Sequence, residues 1–231
     1  MVLTHPDLWI TGERQVLVPC GPLELEGSLS LPPRTEGLVL FAHGSGSSRH
    51  SPRNQFVARY LQKGRLGTLL FDLLTPHEER IDEVTREYRF NVDLLAQRLM
   101  AAVRWAAQEP STRFLPLGLF GASTGAAAAL SVAAEPGVRI DAVVSRGGRP
   151  DLAEEALPHV KAPTLLIVGG LDREVIEMNR SALEQMTHCQ RELRIVNGAT
   201  HLFEEPGALR IVAGHASDWF RTHLGSQGGE A

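Results

Sequence analysis

The pentapeptide Gly121-Ala122-Ser123-Thr124-Gly125 lies between an apolar run, Leu115-Pro116-Leu117-Gly118-Leu119-Phe120, and an alanine-rich run from Ala126 to Ala134. The first run reads as a buried strand and the second as a helix, so Ser123 falls on a sharp strand-to-helix turn. A serine on such a turn is held in a strained conformation with its hydroxyl exposed at the end of a sheet. The flanking glycines leave space where side chains would clash. Ser123 is thus a candidate nucleophile, and a nucleophilic serine needs a base and an acid to orient that base.

Outward from the pentapeptide, continuous apolar runs at 38–42, 67–74, 115–121, 140–145, 164–169 and 193–196 predict strands covered on both faces, as in a parallel sheet. Helical spacing of apolar residues covers 90–108, 124–134, 174–188 and 207–224. Residues 15–18 and 23–31 predict an antiparallel hairpin with Cys20-Gly21-Pro22 at its turn. The expected class is α/β: a doubly wound, mostly parallel sheet with an antiparallel N-terminal hairpin. No linker, repeat or charge run divides the chain, which predicts one domain over 1–224 and a polar, Gly-rich tail over 225–231.

Ligands of such sheets bind beyond the carboxyl ends of the strands, so the loops after each run are where chemistry is expected. Asp172 follows the run ending at Gly169, and His201 follows the run ending at Val196. The chain order Ser123, Asp172, His201 is that of a nucleophile, an orienting carboxylate and a general base on this kind of sheet. The imidazole accepts the hydroxyl proton, and the carboxylate holds the imidazole in one tautomer and stabilises its charged form. The loop His43-Gly44-Ser45-Gly46-Ser47-Ser48 follows the first central run. Its Ser45 amide, or less directly that of Gly44 or Gly46, pairs with the Thr124 amide as an expected oxyanion hole. No lysine follows Gly46-Ser47-Ser48, and Arg49 stands where a dinucleotide fingerprint needs glycine, so a phosphate-binding loop is not expected.

Each residue also has a blander role. Asp172 precedes a helix and could merely cap it. Arg146 and Arg149, after the fourth parallel run, could grip a substrate carboxylate or phosphate, with His43 a further substrate contact; equally, the arginines could pair with Asp151, Glu154 or Glu155. Arg49 to Asn54 forms a second basic cluster that could wall the pocket. Residues 76–89 read as a solvated loop and helix start able to fold over the site.

The chain has 231 residues, 43% hydrophobic and 22% charged, ample for a sizeable core. A net charge of −4 with a pI near 6.1 provides no electrostatic case for nucleic acid or an anionic membrane. Two cysteines are too few for a disulfide framework, which points to reduced thiols and a cytoplasmic setting. No signal peptide, membrane helix, metal-ligand spacing or cofactor motif is legible.

The motifs His43-Gly44-Ser45-Gly46, Gly121 to Gly125, Gly169-Gly170-Leu171-Asp172 and Gly198 to Phe203 resemble those of the α/β-hydrolase superfamily, in its dienelactone-hydrolase-like branch. The resemblance spans about Leu23 to Leu224. It implies a lid-free, cofactor-free acyl hydrolase acting on a small ester, lactone or thioester. Dienelactone hydrolases use a cysteine nucleophile where this chain has Ser123, a departure that bears on the substrate and leaves the acyl mechanism intact. The interval between residues 145 and 164 is too short for an inserted lid. Superfolds host many functions, so the alternative is a non-catalytic binding module on the same scaffold.

Overall fold

The structure is a computed structural model that describes residues 12–225. The expectations for the extreme N-terminus and for the tail beyond Gly225 lie outside the described residues. The sheet has eight strands in the order β1-β2-β4-β3-β5-β6-β7-β8. They are β1 (Glu13–Cys20), β2 (Leu23–Ser30), β3 (Gly37–Ala42), β4 (Leu66–Phe71), β5 (Leu117–Ala122), β6 (Ala142–Arg146), β7 (Thr164–Gly169) and β8 (Arg191–Val196). β1, β2 and β4 pair antiparallel, and every pairing from β4 to β8 is parallel. Sheet and hairpin are those predicted.

β3, β4, β5, β6 and β7 are buried at every residue, because helices cover both faces. α3 (Val92–Ala106), α4 (Thr124–Ala134) and part of α5 (Arg173–Gln185) bury Leu95, Leu99, Leu130 and Ala182 on one face. On the other face, α1 (Pro52–Lys63) and α6 (Ala208–Leu224) pack Val57, Leu61, Val212 and Phe220 against Phe41 and Phe120. Ala126 to Ala129 are wholly buried, and their small side chains let α4 lie close on the sheet.

Three segments differ from the prediction. The basic cluster around Arg53 is the first turn of α1, started by the Ser51 side chain accepting the Asn54 N–H at 3.3 Å, with Pro52 at the first helical position. α2 (Pro76–Thr85) is a complete helix with a capping box: Thr75 Oγ1 accepts from Glu78 N–H, and Glu78 Oε2 accepts from Thr75 N–H at 2.7 Å. Residues Pro150–His159 form a 3₁₀ segment with non-helical Ala153, carrying the chain from β6 to β7. β4 also stops at Phe71, three residues early, where the Asp72 N–H turns to Glu26 O and the Leu73 N–H to His43 Nε2.

Candidate active site

Ser123 joins β5 to α4 with φ 52 and ψ −118, a left-handed value rare for a side-chain-bearing residue and typical of strain held at functional sites. The surroundings over-determine it. A Cβ at Gly121 would lie 2.3 Å from Ala126 Cα, and one at Gly125 would lie 2.2 Å from Ala42 O, so neither position admits a side chain without backbone movement. Ser123 precedes α4 yet its hydroxyl makes no capping bond, which leaves Oγ available.

Asp172 likewise occupies the N-cap position of α5 without capping it. Its Oδ2 accepts from His201 Nδ1 at 2.6 Å instead. The carboxylate is thus directed at the imidazole, fixing the tautomer with Nδ1 protonated and Nε2 free to act as base. The two loops are tied by the Leu171 N–H donating to Ala199 O at 2.9 Å. The His201 loop is closed by Glu205 Oε1, which accepts from Thr200 Oγ1 at 2.6 Å and Thr200 N–H at 3.0 Å. Those bonds, the side-chain one foremost, hold the Glu205 carboxyl below its ordinary value. Phe203 completes the loop in a left-handed conformation (φ 56) with its ring buried. Among the described residues, Ser123 Oγ and His201 are not hydrogen-bonded; such pairs are often loose without substrate. Gly147 stands against the imidazole: its Cβ position is 3.4 Å from His201 Cε1.

The expected oxyanion loops meet. Ser45 Oγ donates to Arg89 O at 3.0 Å, so the Thr124 hydroxyl donates to Ser45 Oγ across the second 3.0 Å contact. His43 does something other than the predicted substrate contact. Its Nδ1–H donates to Gly44 O and its Nε2 accepts the Leu73 N–H, both at 3.0 Å. Both ring nitrogens are occupied, and burial lowers the pKa, keeping the ring neutral. His43 therefore braces the Gly44–Ser45 loop against the end of β4.

A cavity of about 360 Å³ opens beside these loops, lined by Ser45, Ser48, Leu74, Glu79, Glu83 and Thr124 among others. α2 forms its far wall, the place predicted for a flap. It is anchored by Asp82, whose carboxylate accepts from Arg89 Nε at 2.5 Å and from the Tyr88 and Arg89 amides, and by Glu78 paired with Arg98 at 2.7 Å. Burial raises the Glu79 pKa, with Asp72 and Glu83 adding repulsion. The basic cluster does not wall this cavity: Arg49 is held by Asp72 and Glu26, and Arg53 pairs with Glu204 at 3.2 Å.

The two predicted anion-binding arginines part company. Arg149 Nε and Nη2 bind Asp151 bidentately at 2.9 and 2.7 Å, the structural pairing foreseen as its blander role. Arg146 is 7% exposed, and among the described residues its Nε has no hydrogen-bond partner. Burial, then repulsion from Arg53, lowers its pKa to about 10, and its guanidinium lies 6.0 Å from the Phe203 ring centroid. Among the described residues no group of three or more His, Cys, Asp or Glu could hold a metal ion, and no helix is long and apolar enough to cross a membrane.

Known proteins resemble this chain. The chain is 57% identical to a dienelactone hydrolase from Anabaena variabilis, with a TM-score of 0.90 over 92% of this chain and 98% of that one. An esterase of Pyrococcus furiosus shares the fold alone, at 18% identity and a TM-score of 0.76 over 97% and 98% of the two chains. A Mycobacterium tuberculosis protein whose name provisionally makes it a phosphoribosyl transferase is 54% identical over 212 residues, 92% of this chain and 47% of that protein. The chain thus spans about half the length of that relative. The profile of the dienelactone hydrolase family matches residues 70–222, which include Ser123, Asp172 and His201. On the family profile and the 57% identity, the chain belongs to the dienelactone hydrolase family.

Proposed function

We propose that the chain is a serine hydrolase cleaving a small ester, lactone or thioester through an acyl-enzyme. The carrying observation is Asp172: at a helix N-cap, where its carboxylate would ordinarily bind its own helix, it binds His201 Nδ1 at 2.6 Å. In this reading Ser123 Oγ attacks the substrate carbonyl carbon while His201 Nε2 takes the hydroxyl proton. The Thr124 and Ser45 amides receive the oxyanion. Collapse breaks the bond to the leaving oxygen or sulfur, which takes the proton back from His201, leaving Ser123 acylated. Water then attacks with the same proton traffic and releases the acid. The mechanism calls for no cofactor.

Arg146 adds a substrate detail. β6 and the cavity flank β5 on opposite sides, so an anion near Arg146 would extend away from Glu79 and Glu83. A buried guanidinium without a carboxylate partner among the described residues favours an ester carrying a carboxylate or phosphate on that side. Arg146→Met should raise KM for an acidic ester roughly 10- to 100-fold and leave a neutral ester of similar size unchanged. Equal losses on both would assign Arg146 to the structure alone. The transferase name of the mycobacterial relative belongs to a protein about twice this length, and the Ser-His-Asp arrangement favours acyl chemistry here.

Ser123→Ala tests the main reading. Hydrolysis of a short p-nitrophenyl ester should fall on the order of 10⁴-fold or more, and a fluorophosphonate should label the wild-type protein at Ser123 and not the variant. Well-folded wild-type protein that takes up no probe would leave the non-catalytic binding module as the answer.

A further inference from the structure

Ser123, at φ 52, stands between the end of β5 and the first turn of α4, where its carbonyl accepts the Ala126 N–H at 3.1 Å. Its amide and carbonyl also both reach one short segment. The Ser123 N–H donates to Arg146 O, and the Arg149 N–H donates to Ser123 O, each at 3.2 Å. Between those two bonds lies Gly147, at φ 52, whose Cβ position is 3.2 Å from His201 O and 3.5 Å from His201 Nδ1. The Gly147 N–H is fixed to Ile167 O of β7 at 2.7 Å. Residues 146–149 therefore bond the backbone of Ser123 on one side and face the imidazole on the other, where a Cβ at Gly147 would meet it.

The third group is reached through Asn179. It is wholly buried on α5, about two turns beyond Asp172, and its Nδ2 donates to Gly148 O at 3.0 Å and to Val175 O at 2.7 Å. Its Oδ1 has no partner among the described residues. Burying an amide that is only half satisfied costs free energy that an apolar residue of similar size would not. The contact to Gly148 is what the amide provides in return: it fixes the helix that starts at Asp172 to the segment that holds Ser123 and abuts His201.

We propose that Asn179 is a positioning residue, which through Gly148 and Gly147 sets the spacing of Ser123, His201 and Asp172. The proposal rests on the serine-hydrolase reading. Asn179→Leu keeps the volume and removes the donor. With a short p-nitrophenyl ester, kcat per fluorophosphonate-titrated site should fall about 10- to 100-fold with KM within about two-fold, because small misplacements of reacting groups lower rate more than binding. The pH profile of kcat/KM should shift on its acidic limb, which reports the general base. A lowered melting temperature with kcat and pH profile unchanged would make Asn179 a packing residue and overturn the proposal. If Asn179→Leu does not fold, Gly147→Ala decides from the other end of the brace. Lost kcat with a moved acidic limb supports the brace, and wild-type kcat and profile overturn it. Wild-type protein that neither hydrolyses ester nor takes up probe sinks the hydrolase reading, and the brace with it.

Discussion

Ser123 and Asp172 each sit where a short polar side chain would cap a helix, and neither caps. That double refusal distinguishes the site from ordinary helix starts, since a lost cap costs about 0.5–2 kcal/mol that packing elsewhere must offset. Asp172→Asn should lower kcat on the order of 10³- to 10⁴-fold while the fold persists, because the amide can hold His201 in the wrong tautomer; steady-state kinetics on a p-nitrophenyl ester check it. Gly125→Ala should lower the melting temperature and slow probe labelling together, since its Cβ would stand 2.2 Å from Ala42 O and the nucleophile's turn must yield. Ser123, Asp172 and His201 were legible in the sequence because each follows an apolar run and the three keep a fixed order. Gly147 and Asn179 were not: a lone glycine in a loop and a lone asparagine in a helix carry no pattern, and their importance lies in what stands opposite them.

At the scale of elements, α2 and the His43 loop form two walls of one cavity. Thr75→Ala removes half of the α2 capping box and should destabilise the protein by about 0.5–2 kcal/mol, seen as a lower urea midpoint. His43 gives the cavity a pH dependence. Burial depresses its folded pKa, so below an unfolded value of about 6.5 the unfolded chain binds the proton more readily. Stability is therefore full above that value and is lost as pH falls through the folded one. His215 and His223, also lowered chiefly by burial, add in the same direction. Melting temperatures between pH 8 and 5 should fall for the wild type and fall less steeply for His43→Gln; equal slopes would remove His43 from the account. The helices were legible unevenly. α3, α4, α5 and α6 carry apolar stripes, whereas α1 was hidden by its basic first turn and α2 by its charged one. The start signals Ser51-Pro52 and Thr75-Pro76 with Glu78 were nevertheless present.

Across the whole molecule, the site depends on a sheet buried on both faces. Phe41 and Phe120, on neighbouring strands just below the His43–Ser45 loop and Ser123, pack with ring centroids 4.8 Å apart. Phe120→Ala should cost about 3–5 kcal/mol in chemical denaturation, the usual loss for a buried aromatic ring. By itself the sequence determined the α/β class, the antiparallel leading hairpin, the strand-turn-helix at Ser123 and the order of the three candidate groups. All of these are written in local periodicity and turn chemistry, which act over a few residues. Only the tertiary structure decided that Asp172 reaches His201, that His43 faces Leu73, and that Arg149 closes on Asp151 while Arg146 pairs with none of the described residues. Those partnerships depend on where sheet order and helix packing bring separate loops. A side chain's charge is legible in the chain, but whether that charge is neutralised, buried or left free is set by what the fold places within a few ångströms of it.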